Sequence, residues 1–155
     1  MRASSDRRLT PWAADALALL TAGVYGYSAW TKWAYPDAFR RALSGYGVGG
    51  AAAGWAARLV PAAEFALAVA LLLFLIWQAW AWLEAGLWLA TAGFLGFTAL
   101  MSWALAHGLG QGGCGCFASA EPLGPWDIVR DIAFAAAAAA GALLSRAARR
   151  AGAAG

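Results

Sequence analysis

Of the 155 residues, 63% are hydrophobic and only 12% charged, about half the charged share of an ordinary soluble domain. So little polar surface cannot cover a water-facing fold, and one domain over residues 1–155 with lipid as its solvent is the expectation. The net charge of +3 is spread over both tails and one loop rather than gathered into a basic patch, so no nucleic-acid partner is expected.

The tail Met1–Thr10 starts basic, and a hydrophobic run follows from Trp12 to Trp33. No small-residue cleavage site interrupts it, so residues 12–33 read as an uncleaved first span. A long connection, 34–58, comes next. Within it Pro36–Leu43 predicts a short amphipathic helix, with proline in its first turn and Gly45 as its stop. Phe39 and Leu43 are four apart and share a face, which either lies on the membrane or docks on the bundle. The stretch Gly45–Gly54 reads as a flexible lead.

A second span is expected over 59–82, a tight turn at Leu83–Ala85, and a third span over 85–107. A second long connection, Gly108–Gly124, precedes a fourth span over 126–145. Each segment has the roughly 20 residues that a helical crossing needs. No alternating barrel pattern is present, and open sheets leave backbone groups unsatisfied in lipid. The expected fold is therefore all-α, an integral membrane four-helix bundle with a short amphipathic helix in its first long loop. Tryptophans 12, 30, 33, 80, 82, 103 and 126 fall near span ends, as an aromatic belt would place them. The tails carry six arginines (2, 7, 8, 146, 149 and 150), while the first long loop carries Lys32, Arg40, Arg41 and Arg58. The positive-inside tendency then puts both termini of a multi-pass bacterial inner-membrane protein in the cytoplasm and the second long loop outside.

That loop holds the only two cysteines, Cys114 and Cys116, separated by Gly115. Thiols at i and i+2 close a small, strained ring, and strain marks labile or catalytic disulfides rather than structural ones. The nearby start of the fourth helix favours a thiolate. A structural staple stands beside this reading, although so small a ring constrains little chain. No metal site is expected, because His107 is the only histidine and structural zinc needs four ligands; copper(I) on the two thiols stays open.

Ionisable residues at membrane depth need a partner or a role. Lys32, Glu64, Arg130 and Asp131 are expected to gather in one polar cluster near the cysteines. It would serve as a proton path, as a quinone headgroup site, or simply as ion pairing between helices. Asp15 and His107 read as interfacial residues, and Gly86, Gly93 and Gly96 as close-packing positions.

Several pieces resemble the MauE family of methylamine-utilisation proteins, relatives of the DoxX-type four-helix membrane proteins. Cys114-Gly115-Cys116-Phe117-Ala118 is similar to the family's Cys-x-Cys-Phe-Gly, with Ala118 in place of the glycine. Leu123-Gly124-Pro125-Trp126 and Val129-Arg130-Asp131 follow it. Ser28-Ala29-Trp30-Thr31-Lys32, Pro36-Asp37-Ala38-Phe39 with Tyr46, and Pro61-Ala62-Ala63-Glu64 extend the likeness over most of the chain. The resemblance implies a membrane thiol–disulfide oxidoreductase with Cys114 and Cys116 as its redox pair. Lys32, Glu64, Arg130 and Asp131 become supporting positions. Its partners would be a thioredoxin-like protein or a disulfide-containing extracytoplasmic client; in methylamine-utilising bacteria the client is a disulfide-rich dehydrogenase subunit. The alternative is a non-catalytic membrane scaffold or assembly factor in which the cysteines form a staple. A transporter is a third reading, opposed by the absence of an inverted repeat.

Overall fold

A computed structural model describes residues 3–110, 113, 115 and 122–153; Cys114 and Cys116 lie outside the described residues. The described residues form five helices and no strand: α1 (Ala3–Ala34), α2 (Pro36–Gly45), α3 (Gly50–Ile76), α4 (Trp80–Ala106) and α5 (Pro125–Ala153). The helices α3, α4 and α5 are long and apolar enough to cross a membrane.

The first helix is equally long but falls short of that apolarity, because it devotes its buried stripe to polar and small residues. Ala14, Ala18, Thr21, Ala22, Tyr25, Ser28, Ala29 and Lys32 are all buried. They recur at the three- and four-residue spacing that keeps one helix face turned inward. Small side chains let neighbouring backbones approach, and α1 packs closely on α3 and α5. In turn α4 packs on α5 and α3. The four long helices thus follow the order α1–α3–α4–α5 around the core.

Large apolar side chains such as Leu20, Leu72, Leu89 and Ile132 point outwards, which suits lipid and would be costly in water. Trp30, Trp33, Trp82, Trp103 and Trp126 are exposed near helix ends; Trp12, also exposed, lies more than two turns inside α1.

The amphipathic helix is present as α2, with Pro36 at its start. Its docking face is Phe39, Ala42 and Tyr46, while Leu43 is only half-buried and Arg40 and Arg41 face out. Ala42 and Tyr46 pack with Met101 and Ala104 of α4 and with Leu123 just before α5. So α2 caps one end of the bundle.

Two boundaries differ from the sequence expectation. Half of the expected flexible lead is helical, since α3 begins at Gly50. The turn expected at Leu83–Ala85 lies instead at Trp77–Ala79, between α3 and α4. Gln78 makes it by taking a left-handed backbone (φ 52°), and its side-chain amide donates to Leu75 O at 2.9 Å, satisfying a carbonyl at the end of α3. Apolar residues on both sides of Gln78, through Trp80 and Trp82, hide this stop. Glu84, within the expected turn, lies inside α4 and pairs with Arg146 and Arg149 of α5.

Glycines set the closest helix contacts. A Cβ on Gly86 would sit 3.0 Å from Leu71 Cδ2, and one on Gly93 would collide with the Tyr25 hydroxyl. That hydroxyl donates to Ala90 O at 2.8 Å, so Gly93 makes room for a buried hydrogen bond between α1 and α4. Gly96 faces open space and has no such role.

Candidate functional site

At the α2 end the first polar stripe of α1 meets α3. Ser28 and Lys32 are four apart on one face of α1, and Glu64 faces them from α3. The Lys32 ammonium donates to Glu64 Oε1 at 2.7 Å, to Glu64 Oε2 at 2.8 Å and to Ser28 Oγ at 2.6 Å. All three of its donors are thereby used. Ser28 Oγ in turn donates to Glu64 Oε1 at 3.3 Å. The side chains of Lys32 and Glu64 are only 2% and 9% exposed. Aromatic rings close the ammonium in: the centroids of Phe39 on α2 and Phe97 on α4 lie 5.3 and 5.7 Å from Nζ. The negative ring faces add attraction where water is excluded.

The second charged pair sits in the first turns of α5. Arg130 Nη1 lies 3.0 Å from Asp127 Oδ1, and Nη2 lies 3.6 Å from Asp131 Oδ1. Asp127 also accepts from Gly124 N at 3.0 Å, tying down the start of the helix. Asp131 is 2% exposed. With Glu64, Ser28, Tyr25, Phe94 and Phe134 it lines a small cavity of about 20 Å³ between the helices. The four charged residues singled out in sequence thus form two pairs, and one carboxylate of each, Glu64 and Asp131, lines a common cavity. Ser28, Phe39, Phe97 and Asp127 escaped that reading. Ser28 and Asp127 carried a signal, the four- and three-residue spacings to Lys32 and Arg130; Phe39 carried one only as part of the apolar face of the amphipathic helix, and Phe97 carried none.

The cavity has room for a water, which needs about 10–15 Å³. It falls far short of the several hundred cubic ångströms of a small-molecule site. Among the described residues no group of three His, Cys, Asp or Glu side chains converges as a metal site. His107 ends α4, where Nδ1–H donates to Trp103 O at 2.8 Å and the ring lies against that indole.

The stems of the cysteine loop are built onto the same end. Gly110 N donates to Gly45 O at 3.1 Å, and Leu123 N donates to Gly110 O at 3.1 Å, fastening both arms of the loop to the end of α2. Gly113 N also donates to Gly110 O at 3.1 Å. Gly115, between the two cysteines, has φ +74°, a left-handed conformation that glycine adopts without penalty. Its backbone lies on α2 so closely that a Cβ would sit 3.1 Å from Ala42 Cβ and 3.6 Å from two carbons of the Phe39 ring. The Phe39 ring thus neighbours both Gly115 and the Lys32 ammonium.

Comparison with known proteins gave one family: the model described as methylamine utilisation protein MauE matches residues 10–144. Neither the curated proteins nor the solved structures returned a match.

Proposed function

The chain belongs to the MauE family, and we propose that it is a membrane thiol–disulfide redox protein whose working pair is Cys114 and Cys116. The observation that carries this reading is the seating of Gly115. A left-handed Gly115 packed against Phe39 and Ala42 of α2 supports this reading, because it seats the middle residue of the Cys-Gly-Cys motif on a built surface. Inert thiols have no need of that arrangement.

In the oxidised protein a client thiolate attacks one sulfur of the Cys114–Cys116 disulfide and forms a mixed disulfide. The client's second thiolate then displaces that sulfur. The client gains a disulfide, the pair becomes a dithiol, and two electrons pass from client to pair. A thioredoxin-like partner in its disulfide form restores the pair by the reverse exchange. Methylamine utilisation, the process in the family's description, supplies the setting, with a disulfide-rich extracytoplasmic protein as the class of client.

In this reading α1 is a fourth span, and 1–155 is a single membrane domain with both termini in the cytoplasm. The ends of α1 and α4 and the starts of α3 and α5 share the side that carries α2 and the cysteine loop, which faces outward. Cys114→Ser and Cys116→Ser should each abolish client oxidation while leaving membrane insertion intact. A membrane-impermeant maleimide should label intact cells only after mild reduction. A double serine variant that still matured its client, or labelling that required opened cells, would refute the assignment.

The packing of the loop stems favours one second reading, a scaffold with a cysteine staple. A staple has a reduction potential far below those of its partners, whereas a catalyst sits close to them. Equilibration against thiol buffers of graded potential separates the two.

A further inference from the structure

We propose that the cavity lined by Glu64 and Asp131 is a binding site for one water, whose two O–H groups donate to the two carboxylates and join the ion pairs of α1–α3 and α5 into a single network. This stands on the packing of the helices and is independent of the redox reading above.

The polar lining selects the occupant. It consists of Tyr25, Ser28, Glu64 and Asp131, and the protons around it are already committed. The Tyr25 hydroxyl donates to Ala90 O at 2.8 Å, and Ser28 Oγ donates to Glu64 Oε1 at 3.3 Å. The Lys32 ammonium spends its three donors on Glu64 and Ser28. What these groups still offer the cavity is acceptors. Ionised carboxylates only accept, so Glu64 and Asp131 cannot bond to each other, and the group between them has to be a donor.

Size narrows the choice further. About 20 Å³ admits one water, which needs about 10–15 Å³ and two to four polar partners, and no larger donor. Phe94, Phe97 and Phe134 supply the apolar part of the lining and no competing partner for a carboxylate. The charge balance points the same way. Lys32 and Arg130 meet Glu64, Asp127 and Asp131, so acids outnumber bases inside this end of the bundle. The other charges here, Asp37, Arg40, Arg41, Arg58 and His107, are exposed among the described residues. Two carboxylates 9% and 3% exposed repel each other with little screening. A water with both O–H groups turned to them offsets that repulsion and meets the hydrogen-bond demand of buried polar groups.

A double-mutant cycle reads the network in the full-length protein held in lipid nanodiscs. Lys32→Met with Glu64→Leu removes one ion pair without leaving an orphan charge. Asp131→Leu takes the second carboxylate from the cavity and leaves Arg130 its contact with Asp127. If a water bridges the two, either change alone already breaks the bridge. The fall in melting midpoint of the combined variant should then be smaller than the sum of the two separate falls. Carboxylates that only repel each other give a combined fall larger than that sum, and unlinked ones give the sum itself. Either of those results overturns the proposal.

If Asp131→Leu does not fold, a crystal structure of the wild-type protein grown from lipid, at a resolution that shows waters, decides alone. The expected result is one water-sized peak at about 2.5–3.0 Å from a carboxylate oxygen of both Glu64 and Asp131. A cavity without a peak, or a peak that touches one carboxylate only, is fatal to the bridge. Crystals grown in sodium and in choline salts separate water from a bound cation. A peak present in both supports the water, while one that requires sodium overturns it.

Discussion

The two ends of the helix bundle both carry ion pairs between helices, but they solve different problems. At the α2 end, Lys32 and Glu64 are 2% and 9% exposed, and Ser28 completes the ammonium's set of partners. At the opposite end, Glu84 of α4, 14% exposed, takes Arg149 at 2.9 Å and Arg146 at 3.9 Å from α5, and it is these arginines, 46% and 48% exposed, that reach water. Exposed charges keep most of their hydration, so pairing them gains little. Buried charges have given hydration up, so each depends on the other. The exposed end has the character of an anchor for α5, and the buried end that of a preset electrostatic centre.

The sharpest way to break this contrast is to orphan a charge at each end. Glu64→Ala should destabilise the protein by about 3–5 kcal/mol, because it leaves the ammonium buried without its counter-ion. Thermal unfolding in detergent would show a large fall in midpoint. Joint replacement by Lys32→Met and Glu64→Leu should restore most of that loss. A double variant as unstable as the single one would mean that the pair itself, and not the orphaned charge, holds the helices together.

Midway along the bundle lies a neutral counterpart. Gly93→Ala should displace the Tyr25 hydroxyl from Ala90 O and cost about 1–3 kcal/mol, the penalty of an unmet buried polar group. Tyr25→Phe combined with Gly93→Ala should be less damaging than Gly93→Ala alone, since no hydroxyl is left to place. The smallest effect belongs to the exposed end. Glu84→Gln should cost less than about 1 kcal/mol, and the difference from wild type should shrink as salt is added. A salt-insensitive loss there would mean that Glu84 is more deeply buried in the membrane-embedded protein than its exposure suggests.

The same contrast separates what was legible in the residues from what was not. Arg130 and Asp127 are three apart in one helix, and helical spacing alone brings them together. Lys32 and Glu64 are separated by 32 residues, with α2 between them, and no local rule selects that partner. Both were flagged because charge is expensive in an apolar run, yet the order of the pair, ammonium towards Phe39 and carboxylate towards the cavity, had no trace in the chain. The amphipathic helix was legible from its proline, its glycine and its four-residue spacing. Its docking face was legible only in Phe39, because Ala42 and Tyr46 become apolar contacts only once α4 and Leu123 arrive. The turn at Gln78 was missed for a related reason: a hydrophobic run interrupted by one polar residue records what faces lipid and says little of where the backbone reverses.

Composition and periodicity therefore suffice for an all-α protein with membrane-length helices, a Cys-Gly-Cys loop and a few costly charges, since each follows from solvent preference or local backbone geometry. Helix order, the seat of Gly115 on Phe39 and the pairing across the core came from folding alone. They depend on which surfaces fit when distant segments meet, and that complementarity is a property of shape and burial that neighbouring residues do not encode.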